Sequence, residues 1–138
     1  MTTPLRLNWF AVLGAALLHY FLAVPWFALL GPAWREAIGL AHVPETNSVA
    51  AYVVPLVGAF LGTVALALLL AALRIERVTT GALFGAAMAL GFSLTAVAND
   101  AVAPHQPRPL AFFLIVGGYH LLGLMLSAAV LARARRRA

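Results

Sequence analysis

The sequence predicts an all-α membrane protein, a four-transmembrane-helix bundle with a short interfacial helix in its first outer loop. Three observations carry that prediction. Of 138 residues, 64% are hydrophobic and 9% charged, with a mean hydropathy of +0.98, far from the composition of a water-soluble domain. Four apolar runs, at about 9–30, 49–73, 81–97 and 110–131, are divided by short polar stretches and together make one domain over 1–138. The last of them would form a helix ~33 Å long, which matches a bilayer core.

The first run exceeds a signal-peptide core and lacks a small-x-small cleavage site, so it is read as a span. Pro25 falls in its outer third and predicts a kink or a thinning there. In the loop that follows, Pro32 suits a first helical position and Gly39 a C-terminal cap. Trp34 and Ile38 lie one turn apart between them, and these residues give the interfacial helix. Thr46, Asn47 and Ser48 offer an N-cap to the second span, where Pro55 lies in the first turns and Tyr52 sits at interface depth.

A short polar linker around Arg74 and Arg77 joins the second span to the third. Gly58-x-x-x-Gly62 and Gly81-x-x-x-Gly85 leave a small-residue groove on each of these two helices, which invites close helix contact and self-association. Asn99 and Asp100 end the third span, and Pro104, Pro107 and Pro109 stiffen the turn into the fourth.

Orientation follows from the arginines. Arg6, Arg74, Arg77 and the terminal Arg133, Arg135, Arg136 and Arg137 share one side, against Arg35 and Arg108 on the other, which puts both termini in the cytoplasm. The basic C-terminus is a partner for anionic lipid headgroups rather than nucleic acid. There is no cysteine, which excludes disulfides, thiolate nucleophiles and Cys-type metal sites.

The candidate site is a pair of histidines in hydrocarbon. His19 lies ten residues from the cytoplasmic end of the first span and His120 eleven from that of the fourth, so both sit ~15–17 Å deep. Each adjoins a tyrosine, Tyr20 and Tyr119, and Gly117 and Gly123 flank His120 as if clearing space. If the two helices are neighbours, the imidazoles can meet and ligate haem or a metal ion, or pass a proton. The plainer reading is that each ring donates to a carbonyl or hydroxyl on a neighbouring helix and holds the bundle in register. Thr63, Ser93, Thr95 and Ser127 are read as bonding their own helix backbones, and Trp9, Trp26 and Trp34 as interface anchors. His42, Glu45, Asp100 and His105 in the outer loops match no known metal-ligand spacing, and Asp100 is expected to pair with Arg108 or His105.

The stretches Leu7-Asn8-Trp9-Phe10-Ala11-Val12-Leu13, Trp26-Phe27-Ala28-Leu29-Leu30-Gly31-Pro32-Ala33-Trp34 and Gly118-Tyr119-His120-Leu121-Leu122-Gly123 resemble the bacterial membrane family of domain of unknown function 1761. Where that family shows Trp-Tyr, a proline and Phe-Gly-Lys, this chain has Phe27 for the tyrosine and Ala28-Leu29 without proline. The resemblance implies four spans and supplies no activity.

No carboxylate falls inside an apolar run, and phosphate-loop, serine-nucleophile and HExxH motifs are missing. The expected function is therefore a non-enzymatic module that associates with itself or with a larger complex. The alternatives are a membrane oxidoreductase or a haem or pigment carrier built on His19 and His120, and a transporter of a small lipophilic solute.

Overall fold

Asn8 starts the first helix by turning its side-chain oxygen to the N–H of Ala11 at 3.1 Å, the bond an N-cap supplies. In the computed structural model, which describes residues 7–44 and 48–135, this helix, α1, runs unbroken over Trp9–Ala37. Arg6, Glu45, Thr46, Asn47, Arg136 and Arg137 lie outside the described residues.

The segment from Pro32 is helical, as expected, but it is not a separate interfacial helix. It forms the closing turns of α1. A proline removes one N–H, whereas a break in a membrane helix strips several backbone groups of their partners, so continuing around the ring is the cheaper course. Packing favours the same outcome, since Ala37 is buried in a cluster with Val97, Ala101 and Phe112. The helix closes at Gly39, whose φ of +75° suits glycine, with Gly39 N–H donating to Glu36 O and Leu40 N–H to Arg35 O.

Ser48 caps α2, Val49–Ala72, by accepting from Ala51 N–H at 3.3 Å. Its end repeats the closing pattern of α1 with Arg74 in the left-handed position, at φ 55°. The third span is longer than the apolar run alone suggested. It comprises α3, Val78–Met88, a π-helical turn at Ala89–Ser93, and α4, Leu94–Ala101, and so takes in Thr79 and Thr80 at one end and Asn99 and Asp100 at the other. Thr95 Oγ1 donates back to Gly91 O at 3.2 Å and so satisfies a carbonyl in the widened turn. The last helix, α5, covers Pro109–Arg135.

Four helices are thus long and apolar enough to cross a membrane, and the chain is a multi-pass helical bundle. α5 is its axis, packing against every other helix. Two cores form along it. One gathers Val12, Ala15, Leu66, Leu70, Ala128 and Leu131 near the chain termini, and the other joins the end of α1 to α4 and α5. α2 belongs only to the first. Its buried residues begin at Thr63, and every residue from 49 to 58 is exposed.

Candidate functional site

Side-chain bonds from α1 and α5 fix their mutual register. Ser127 Oγ donates to Ala15 O at 3.1 Å, Tyr119 Oη to His19 O at 3.0 Å, and Trp26 Nε1 to Ile115 O at 2.9 Å. A carbonyl already bonded within its helix has a second lone pair to accept such a donor. Glycines supply the closeness: a Cβ on Gly118 would stand 3.0 Å from the Trp26 ring, and one on Gly123 would overlap the His19 imidazole at Cδ2 and Nε2.

This register brings the two histidines together. His19 is buried, and its ring meets His120 edge to face with centroids 6.1 Å apart. Tyr119 lies against both, at 5.3 Å from His19 and 5.1 Å from His120, and Phe27 continues the stack at 5.9 Å from Tyr119. Tyr20 contributes differently, since its ring contact is with Phe21 at 5.2 Å. The ring contacts therefore join His19, Tyr119, His120 and Phe27.

Among the described residues neither imidazole makes a side-chain hydrogen bond, so the histidines do not hold the helices in register through their own N–H groups as the plainer reading had it. Tyr119, Ser127 and Trp26 do that work. Ser127 thus crosses to the neighbouring helix instead of bonding its own, because Ala15 leaves room for the close approach. Trp26 acts in helix contact rather than as an interface anchor alone, and Trp34 stacks on Phe27 at 5.5 Å. Thr63 follows the expectation and bonds Ala59 O in its own helix at 2.7 Å.

A porphyrin does not fit between these rings. The Nε2 edge of His19 is turned onto the α5 backbone at Gly123, so that nitrogen does not look into an open slot shared with His120. Gly123 clears space for His19, not for a ligand beside His120, and Gly117 lies in ordinary contact with Leu94, 3.6 Å from where its Cβ would stand. Among the described residues there is also no group of three or more His, Cys, Asp or Glu that could hold a metal ion.

The two glycine pairs part company. A Cβ on Gly81 would meet Ala132 Cβ at 2.6 Å and Ala128 O at 2.8 Å, and one on Gly85 would run into Leu124 O and lie 2.9 Å from Ala128 Cβ. That face is filled by α5, which corrects its expected use as a self-association surface. Gly58 and Gly62 have nothing within 4 Å.

Where α1 and α4 end, Arg108 pairs with Glu36 at 2.6 Å, and Asp100 lies 3.8 Å from His105. Pro107 sits over Gly39, 3.2 Å from its Cβ position, so the proline-stiffened turn clasps the end of α1. These pairs are solvated and contribute modestly.

The family described as Protein of unknown function (DUF1761) matches the chain over residues 10–132. No curated protein and no solved structure matches it.

Proposed function

The chain belongs to that family, and from this premise we propose that it is a small non-enzymatic module of the bacterial inner membrane, with cytoplasmic termini, that associates with a second copy of itself. One observation carries the reading. The outer half of α2 is exposed along residues 49–58, and the Gly58 and Gly62 face within and beside it is sterically open. Two such faces are complementary to each other across a two-fold axis, since each offers the other a backbone-deep groove. A larger complex would use the same face with a different small-residue helix.

The absence of native cysteine makes the test simple. Leu61 lies one helical turn from Gly58 and is exposed, as is Leu114 on α5. In membranes, oxidation of Leu61→Cys gives a disulfide-linked dimer and oxidation of Leu114→Cys gives none. Equal cross-linking at both positions, or at neither, overturns the proposal.

A second reading uses the meeting of two imidazoles and a tyrosine ring in hydrocarbon, where polar rings usually serve a ligand, a proton or a partner helix. It makes the chain a membrane oxidoreductase or pigment carrier, and a visible absorption band in the purified protein that is lost in His120→Ala would support it. Haem between His19 and His120 would require α5 to move away from His19. Transport of a small lipophilic solute has no observation of its own in its favour.

A further inference from the structure

At the end of the bundle where α1 begins and α5 finishes, the two helices and α2 leave a small, shallow notch that opens to the surroundings. Its floor is apolar, built on the buried side chains of Val12, Ala67 and Leu131. Its rim is polar, with Asn8 on one side and Arg135 on the other. Arg135 is itself partly exposed, but its Nε is shut off from solvent and, among the described residues, has no hydrogen-bond partner. A buried guanidinium N–H without an acceptor is costly in any protein and more so next to hydrocarbon, which points to an acceptor supplied from outside the chain.

The charge of that acceptor follows from its surroundings. Asn8 caps α1 through Ala11 N–H and Val12 N–H, and helix geometry leaves the N–H groups of Trp9 and Phe10 without intrahelical acceptors. The positive end of a 29-residue helix therefore faces the same notch as the arginine. Arg133, two residues before Arg135 and so on the opposite side of α5, is exposed, and Glu76, the carboxylate of the nearby α2–α3 linker, makes no ion pair among the described residues.

A phosphate oxygen satisfies Nε and the helix end together, and the apolar floor says what else the ligand carries. Leu7, Val12, Ala67 and Leu131 offer a free inorganic anion nothing but desolvation, whereas they suit an acyl chain lying along the seam of the three helices. Trp9, exposed in the first turn of α1, marks this level as an interface. We infer that the notch seats the phosphate of one anionic phospholipid, with Arg135 as its specific anchor and Arg133 as a diffuse contributor. The inference is independent of whether α2 pairs with a second copy.

Native mass spectrometry of the full chain in detergent, titrated with phosphatidylglycerol or phosphatidylcholine, tests it. Wild type retains one phosphatidylglycerol per chain in preference to phosphatidylcholine. Arg135→Gln weakens that retention by about ten-fold, the loss of one charged hydrogen bond, while Arg133→Gln changes it less than three-fold or so. Both variants lie in the last helical turn and should elute and unfold like wild type. Equal weakening by the two substitutions overturns the anchor in favour of unspecific charge. Undiminished retention by Arg135→Gln overturns the site, and so does equal competition by inorganic phosphate at matched concentration, which would make the seat one for free anion.

Discussion

Gly81 and Gly85 are walled in by Ala128, Ala132 and the backbone of α5, whereas Gly58 and Gly62, at the same spacing, meet nothing within 4 Å. In sequence the two pairs are equivalent. What separates them is the helix opposite: α5 brings Ala128 and Ala132 one turn apart to the α3 face, and no described helix is brought to the α2 face. A four-residue glycine spacing therefore states that a backbone can be approached and leaves open what approaches it. In lipid the open face carries no hydrophobic penalty, because acyl chains solvate it as well as leucine would. The openness of α2 is thus compatible with a stable chain.

The sharpest way to break this comparison is to fill both grooves. Gly85→Leu places a side chain against Leu124 O, which cannot give way without moving α5, and should destabilise the fold by about 3 kcal/mol or more. Gly58→Leu should alter folding by less than about 0.5 kcal/mol. Unfolding in mixed micelles with increasing SDS reads both, and similar midpoint shifts for the two would erase the distinction between closed and open faces.

Next in size is a smaller probe on the α1 side of α5. A methyl at Gly123 would overlap the His19 ring, while one at Gly14 meets nothing within 4 Å. Gly123→Ala is expected to cost about 2 kcal/mol by pushing the imidazole off its seat, and Gly14→Ala to be neutral or slightly stabilising. The ring resonances of His19 and His120 should shift together in Gly123→Ala, since their rings are in edge-to-face contact. A spectrum unchanged from wild type would mean that the two rings are not packed as described.

Gly58→Leu has its own larger effect on association. If α2 pairs with a second copy through Gly58 and Gly62, the dimer should dissociate about ten-fold more readily, roughly 1.4 kcal/mol, with the monomer intact. Sedimentation in density-matched detergent measures it, and an unaltered dimer would move the contact to another face.

Much of this could be read from the residues, and the misses share a cause. The apolar runs gave four spans, and equal depth of His19 and His120 anticipated their meeting, because both depend only on rise per residue and on length. The fusion of the Pro32 segment onto α1 was hidden because it depends on Ala37 finding Val97 and Phe112, residues at least sixty positions away. The π turn at Ala89–Ser93 leaves no local composition signal beyond Gly91 and Thr95. Which glycine pair is filled, and which serine reaches across, are likewise properties of the helix that ends up opposite.

Ser127 and Thr63 reduce the same contrast to single hydroxyls and give the smallest expected effect. Both are buried, but Ser127 bonds Ala15 O across the α1–α5 contact, while Thr63 bonds Ala59 O within α2. Ser127→Ala removes a tie between helices and should cost about 0.6 kcal/mol, the usual worth of an interhelical bond in a membrane bundle. Thr63→Val keeps shape and only returns a carbonyl to its ordinary helical bond, so its cost should be about zero. Tyr119→Phe, which deletes the donor to His19 O but keeps the stacked ring, belongs with Ser127→Ala. If Tyr119→Phe and Ser127→Ala together cost what either costs alone, the two bonds report one shared register between α1 and α5. If their costs add, the helices are pinned independently at His19 and at Ala15, one turn nearer the start of α1.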